Sequence, residues 1–424
     1  MQIVDDDGVR TRVRLLRPLA IRDFRLLWTG MTLSLLGDGV LLVALAWQAY
    51  QLSNRPAAMA AVGVALTLPQ VLLVLFGGVV SDRFQRRLVM LGADLVRGAA
   101  LAVLAVLSVT GVLELWHLVA FAVVYGSASA FFIPAFDALV PSIVPEEHLV
   151  EANALDQFVR PAALWLAGPA LGGVLVGWAG ASTAFALDAA TFGVSAFCLA
   201  RMSRLPAHER DALTVRTAIL ELRDGFRFVR SQPWLWVTFV AATFTYLLFL
   251  GPIEVLLPYL VRNELGGSAG DLGLILAAGG LAAVGAALLI GQTGLPGRTM
   301  VFTYAVWALA TLGVAGYGVA HSKWHAMGVA AVIAGFEALG AVAWTTTKQR
   351  LVPLAMLGRV SSFDWFISIS MVPLSYALTA PAAAAFGVRE TLVGAGVLGA
   401  VVTLAFLLIP SVRMPDRRLA TVPA

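Results

Sequence analysis

The chain has 424 residues, of which 59% are hydrophobic and 13% are charged, and its formal net charge is +4. Together with a mean hydropathy of +0.86, this composition excludes a soluble globular protein and indicates a membrane protein. The single cysteine, Cys198, excludes a disulfide framework, and five histidines without ligand spacing leave little for a histidine-built metal centre. We therefore expect no metal and no cofactor.

About twelve apolar segments follow one another along the chain, each near the roughly 20 residues that cross a bilayer as a helix. They are predicted at 24–50, 57–80, 88–110, 115–140, 159–180, 182–200, 234–260, 271–291, 300–320, 326–347, 363–385 and 390–410. Continuous apolar runs of this length exclude a transmembrane barrel, whose strands alternate in short segments. We expect no cleavable signal peptide, because the first segment is preceded by a polar, arginine-rich stretch.

The positions of lysine and arginine predict the orientation in the membrane. With the N-terminus inside, all but five of the 29 basic residues fall on the cytoplasmic side. The exceptions are Arg55, Arg262, Lys323 and Arg389, which lie outside, and Arg97, which lies within a membrane segment. We therefore expect a multi-pass protein of the cell (plasma or inner) membrane with both termini in the cytoplasm. We expect it to act as a monomer.

The longest polar interval divides the segments six and six. The predicted units are a cytoplasmic arm (1–22), a six-helix half (23–200), a cytoplasmic central loop (201–233), a second six-helix half (234–410) and a cytoplasmic tail (411–424). The halves repeat weakly at an offset of 212 residues, at which Pro161 falls on Pro373 and Pro169 on Pro381. Parallel repeats of this kind are typical of secondary transporters.

The connection between the second and third segments reads GGVVSDRFQRR and places charge between two apolar runs. It resembles the signature loop of the major facilitator superfamily through Gly78, Ser81, Asp82, Arg83, Arg86 and Arg87, with Gln85 where the family usually has glycine. The resemblance implies a cytoplasmic gate, in which Asp82 accepts hydrogen bonds from the amides of a neighbouring helix and an arginine bridges to a carboxylate. The candidate partners are Ser361, Ser362 and Asp137. A simple positive-inside anchor is the alternative.

The fifth segment contains GPALGG, formed by Gly168, Pro169, Gly172 and Gly173 with two apolar residues between them. This run resembles the core of a motif associated with exporters of the same superfamily, which favours efflux over uptake. Small residues allow close helix approach, and a proline bends the helix. Ordinary small-residue packing is the alternative.

Four further stretches resemble the branch that holds macrolide-type and siderophore exporters. They are RDFRLLWTG (22–30), LLGDG (35–39), PEEHLVEANAL (145–155) and LGRVSSFDWF (357–366), and with the loop they cover nearly the whole chain. The resemblance implies an all-α membrane protein with twelve transmembrane helices in two pseudo-symmetric halves, the major facilitator fold. The chain departs from many drug antiporters because its fourth segment contains no arginine for proton transfer.

Ionisable residues inside hydrocarbon are costly, so each is a functional candidate. They are Asp38, Asp94, Arg97, Asp188, Glu254 and Glu337. In the family fold the first, fourth, seventh and tenth segments line the central cavity, and Asp38, Glu254 and Glu337 lie on three of these. A carboxyl group desolvated there is suited to take up a proton and release it when a cation binds, which is the chemistry of cation/proton exchange.

Each candidate also has a structural interpretation. Asp94 and Arg97 lie one helical turn apart and are placed to pair with each other. Asp188 stands alone near the outer end of its segment and is expected to be a solvated or capping residue. Asp38 lies between two glycines that thin the helix, and Glu254 lies between two prolines that weaken it, as is common at gates.

We therefore interpret the chain as a secondary exporter of amphipathic small molecules such as drugs, coupled to protons and working by alternating access in the bilayer. The excess of acidic over basic groups in the membrane favours cationic or zwitterionic cargo. Neither a nucleotide-binding loop nor a catalytic motif is found, so we expect no ATP use, no enzyme activity and no nucleic-acid partner. The alternatives are export of a specific metabolite such as a siderophore, or a non-transporting membrane scaffold or sensor.

Overall fold

The computed structural model of the chain describes residues 14–145, 148–203 and 215–419. Helices account for nearly all of these residues, and no β-strand occurs within the described ranges. Eleven helical stretches there are long and apolar enough to cross a membrane. The longest, Phe158–Arg201, has 44 residues, or about 66 Å of helix, which is twice the roughly 30 Å of hydrocarbon. It turns at Gly180, whose φ of +82° is outside the helical region, and so provides the fifth and sixth of twelve predicted crossings.

We number the twelve membrane helices in chain order. They are α1 (Arg22–Leu52), α2 (Pro56–Arg83), α3 (Arg86–Val109), α4 (Leu115–Ile143), α5 (149–179), α6 (181–201), α7 (Pro233–Glu264), α8 (Ala269–Thr293), α9 (Thr299–Gly318), α10 (Lys323–Leu351), α11 (Arg359–Phe386) and α12 (Val388–Leu407). A further helix, Val215–Ser231, lies between the halves and is called the central-loop helix. The face of the bundle at which α1 begins and α12 ends is called the central-loop face, and the other is the opposite face.

Proline marks local departures from α-helical geometry. Pro161 begins a π-helical stretch in α5, and Pro373 follows the break at Met371 in α11, so the repeated proline coincides with an irregularity in each half. In α7 the stretches Pro252–Leu256 and Leu260–Glu264 are π-helical. Glu254 therefore lies on an irregular turn, as its flanking prolines predict.

The two halves repeat the same packing. In the first half α2 packs against α4 and α3 against α6, and in the second half α8 packs against α10 and α9 against α12. Glycine allows several of these approaches: a Cβ on Gly98 of α3 would lie 3.1 Å from Phe192 Cβ of α6. This confirms the all-α fold with two six-helix halves. The predicted arm, central loop and tail lie partly outside the described residues, and the bounds of the two halves remain a prediction.

Candidate functional site

A cluster of ionisable side chains is buried in the first half of the molecule. It brings together Asp38 of α1, Asp94 and Arg97 of α3, Tyr125 of α4 and Asp188 of α6, and is called the N-half cluster. The hydroxyl of Tyr125 donates a hydrogen bond to Asp38 Oδ1. Arg97 Nη2 and Asp94 Oδ1 form an ion pair at 2.5 Å. Four helices therefore contribute to one polar site.

Arg97 is held by charge on one side and by aromatic rings on the other. Its guanidinium carbon lies 4.4 Å from the ring centroids of both Phe132 and Phe192. Asp94 also accepts a hydrogen bond from Ser195 Oγ at 2.6 Å. The pairing of Asp94 with Arg97 agrees with their spacing in the sequence. It also places a guanidinium beside α4, the helix that lacks an arginine of its own.

The structure contradicts the expectation that Asp188 is solvated. Asp188 is 0% exposed, its Oδ1 accepts a hydrogen bond from Thr191 Oγ1 at 3.0 Å, and its Oδ2 is buried without a hydrogen-bond partner among the described residues. Gly37 of α1 lies directly against it, because a Cβ there would overlap Asp188 Oδ1. The expectation was wrong because sequence position near a helix end does not indicate which neighbour the side chain faces.

Glu254 and Glu337 occupy the second half and do not join the N-half cluster. Both are half-buried, and neither has a side-chain hydrogen bond or ion pair within the described part of the chain. Tyr317 and Tyr376 are the electrostatic neighbours of Glu254, and Tyr246 is a neighbour of Glu337. At the 212-residue offset Glu337 corresponds to Tyr125, so α4 and α10 place a tyrosine and a carboxyl group at equivalent positions.

A second buried ion pair was missed by the sequence analysis. Lys348 of α10 bonds to Asp364 of α11, and Trp344 Nε1 donates to the same carboxylate at 2.8 Å. The side chains of Lys348 and Asp364 are only 10% and 14% exposed. Lys348, which is expected on the cytoplasmic side, follows Trp344 by four residues and therefore shares its helix face.

The connection between α2 and α3 consists of two residues, Phe84 and Gln85, and the other residues of the signature loop lie in the ends of these helices. Gln85 has φ −59°, which any residue adopts, so the usual glycine is not required here. Arg86 Nη1 donates to the carbonyl of Ala138 at 2.7 Å, and Arg87 Nη1 donates to that of Met202 at 2.5 Å. The side chains of Asp82 and Arg83 lie outside the described part of the structure, and Gly78 lies within α2. The predicted gate therefore remains a prediction.

Asp137, the predicted acidic partner of the loop, is exposed and has Arg160 and Asp156 as its electrostatic neighbours. It lines a cavity of about 170 Å³ between α1, α4 and the start of α5 at the central-loop face. Trp28 and Phe136 contribute aromatic walls to the same cavity. Arg86 instead bonds to the backbone one residue beyond Asp137.

The exporter-like motif lies between the two halves. A Cβ on Gly168 would lie 2.5 Å from Gly39 Cα of α1. A Cβ on Gly172 would lie 2.9 Å from Val40 Cα, also in α1. On the opposite side of α5, a Cβ on Gly173 would lie 3.0 Å from Gly273 Cα of α8. Pro169 and Gly172 are buried. The predicted close helix approach is confirmed, and it joins α5 both to its own half and to the second half.

At the opposite face, side chains connect the two halves directly. Tyr50 at the end of α1 donates a hydrogen bond to the carbonyl of Val255 in α7. The amides of Asn54 and Asn263 pair reciprocally, with N–O distances of 2.7 and 3.0 Å. These contacts bring the ends of α1 and α7 together.

Comparisons with known proteins agree with this architecture. A family model described as transmembrane secretion effector matches residues 14–421. Macrolide efflux protein A of Streptococcus pyogenes is 23% identical over 402 residues, covering 93% of this chain and 97% of that protein. The multidrug efflux pump Tap of Mycolicibacterium fortuitum is 26% identical over 397 residues, covering 90% and 94%. The crystal structure of a mutant of the nucleoside transporter NupG has a TM-score of 0.72 at 11% identity, covering 91% of this chain and 99% of that one. The last likeness shows the fold alone.

Proposed function

The chain belongs to the major facilitator superfamily, in the family of transmembrane secretion effectors, and we propose that it exports amphipathic cationic or zwitterionic molecules in exchange for protons. The chain is therefore a transporter, and the proposal concerns its direction, its cargo and its driving force. We place the central-loop face in the cytoplasm, in line with the distribution of basic residues.

The observation that carries the proposal is the state of Glu254 and Glu337. Each is a half-buried carboxyl group on a membrane helix without a hydrogen-bonding or ionic side-chain partner among the described residues. Removing an unpaired carboxylate from water is unfavourable, so such a group either binds a proton or is matched by an incoming cation. These two carboxyl groups are therefore suited to meet the positive charge of the cargo, and entry of a cation is linked to release of protons from the protein.

The buried basic groups argue against anionic cargo. Arg97 and Lys348 are the basic side chains that are buried among the described residues. Arg97 is paired with Asp94, and Lys348 is paired with Asp364. An anionic siderophore would need one of these cations to leave its carboxylate, which is costly in a low-dielectric site. A cationic cargo would not have to break either ion pair.

Two observations support export. Two of the relatives are named as efflux proteins, and GPALGG occupies the contact between α5 and α8. Small residues let the backbones of two helices approach closely, and this run resembles the core of a motif associated with exporters of the superfamily. A non-transporting scaffold on this fold would not need the unpaired carboxyl groups.

Proteoliposomes with an acidic interior test the proposal. Outward proton flow should drive accumulation of ethidium, a permanently charged lipophilic cation, and Glu254→Gln or Glu337→Gln should reduce the rate about tenfold or more, as expected when about 1.4 kcal/mol of stabilisation is lost. The matched control is Glu390→Gln, an exposed glutamate at the start of α12. Failure of wild-type protein to move ethidium and other chemically different cations would contradict the proposal, and accumulation of an anionic chelate instead would favour metabolite export.

A further inference from the structure

The N-half cluster contains three carboxyl groups and one guanidinium. Arg97 and Asp94 neutralise each other through their ion pair at 2.5 Å. Ser195 supplies a further donor to Asp94. This part of the cluster is electrically balanced and has its hydrogen bonds at Asp94 satisfied.

Asp38 and Asp188 are left without a counter-charge of their own. Asp38 is an electrostatic neighbour of Asp188 across α1 and α6, and Gly37, the residue next to Asp38, lies against Asp188. Arg160 of α5 is another cation near Asp38, but it is already paired with Asp156 at 3.3 Å. Two adjacent carboxylates in a low-dielectric site repel each other, so the pair is stable when it holds one proton.

The surroundings of the two groups indicate where that proton lies. Asp38 is half-buried and accepts a hydrogen bond from the hydroxyl of Tyr125, which stabilises an ionised carboxylate. Asp188 is fully buried, and among the described residues Thr191 is its only side-chain donor. Its Oδ2 has no partner among the described residues. A neutral acid at this position avoids burying an unmatched charge.

We propose that Asp188 carries a proton on Oδ2 while Asp38 is ionised, and that this pair is the binding site of the transported proton. The carboxyl groups of Glu254 and Glu337 in the other half are then left to meet the charge of the cargo. The claim that this proton is transported rests on the proposed function. The claim that the pair of Asp38 and Asp188 binds a proton is independent of the proposed function.

We propose that the proton leaves Asp188 by way of Asp38. Gly37 removes any side chain between the α1 backbone and Asp188, and its neighbour Asp38 is the more exposed member of the pair. The O–H bond of Asp188 breaks as a new O–H bond forms on Asp38, and the proton then passes to water. No oxidant, reductant or second reactant is needed.

Infrared difference spectroscopy of the purified protein in nanodiscs tests the inference without any transport assay. We expect the wild-type minus Asp188→Asn spectrum at neutral pH to contain the C=O stretching band of a neutral carboxylic acid. Asp224→Asn, on the exposed central-loop helix, supplies the reference signal of a carboxylate in water. The inference is overturned if the Asp188 difference contains only carboxylate bands.

A second variant keeps the test decisive if Asp188→Asn does not fold. Asp38→Asn removes the neighbouring negative charge, so the acid band should disappear at a lower pH than in the wild type, whereas Glu390→Gln, at an exposed glutamate outside the cluster, should leave it in place. An unchanged titration in Asp38→Asn would contradict a shared proton. If the band behaves as expected but the wild type moves no cation, the proposed function fails and the proton site stands.

Discussion

Tyr125 of α4 donates a hydrogen bond to Asp38 of α1. The bond joins two helices that line the cavity in the family fold, and it fixes the half-buried carboxyl group next to the Asp94–Arg97 pair. Because Tyr125 stands where the second half has Glu337, the two halves use equivalent positions for different groups. We infer that the transported proton binds in the first half and that carboxyl groups of the second half meet the charge of the cargo.

Tyr125→Phe should weaken proton coupling. It removes the donor to Asp38, and a hydrogen bond to a charged group contributes about 1.5–3 kcal/mol. We expect gradient-driven cation transport to fall about tenfold. Tyr304→Phe is the control, because Tyr304 is a buried tyrosine whose hydroxyl donates to Thr238 at 3.0 Å, outside the cluster. Equal losses in both variants would assign Tyr125 a structural role only.

Arg97→Gln should strongly destabilise the protein. It leaves Asp94 buried without its counter-charge, which costs about 3–5 kcal/mol. The double variant Asp94→Asn with Arg97→Gln should unfold at a higher temperature than Arg97→Gln alone, because no charge is stranded.

Thermal unfolding in detergent checks this prediction, with Arg227→Gln as the control. Arg227 and Asp224 form an exposed pair at 3.8 Å, and such pairs contribute at most about 1 kcal/mol. If Arg97→Gln unfolds no earlier than Arg227→Gln, the buried pair is not a structural requirement.

Gly173→Val should slow transport without preventing folding. The new side chain would meet α8 at Gly273 and Ala269, and overpacking of this kind costs about 1–3 kcal/mol. Gly177→Val, one turn along α5, has its nearest neighbour at 4.0 Å from the new Cβ and should keep nearly the wild-type rate. Similar ethidium fluxes for the two variants would contradict a role for the α5–α8 contact in the transport cycle.

Cross-linking at the opposite face should stop the transport cycle. Asn54 and Asn263 belong to different halves and pair directly, and Cys198 is the only native cysteine, so a Cys198→Ser background is simple to prepare. Asn54→Cys with Asn263→Cys, joined by a short cleavable thiol reagent, should lose transport and regain it after cleavage. Asn54→Cys alone should be unaffected by the reagent. Unchanged transport in the cross-linked protein would mean that these ends need not separate.

The length of the continuous apolar runs was sufficient to predict the membrane helices. The gap between 180 and 182 in the predicted segments coincides with Gly180, where the helix turns. Likewise, the prolines around Glu254 coincide with a π-helical turn. These features depend on local chemistry that can be identified from neighbouring residues.

The site was less predictable because burial of a charge depends on contacts between distant segments. Asp188 was expected to contact water or to cap a helix, yet its side chain is buried inside the bundle against Gly37 of α1. The ion pair between Lys348 and Asp364 was not predicted, because nothing local in the sequence indicates that the two side chains meet. In both cases a partner on another helix determines whether a buried charged group is tolerated.

Proton movement driven by cargo tests the central claim most directly. Proteoliposomes would be loaded with ethidium and a pH-sensitive dye, and diluted into ethidium-free buffer at equal pH, with the membrane potential clamped by valinomycin and potassium. Efflux of the cation should acidify the interior, and Asp38→Asn should abolish the acidification. Cation efflux from wild-type vesicles without any change in internal pH would contradict proton/cation exchange.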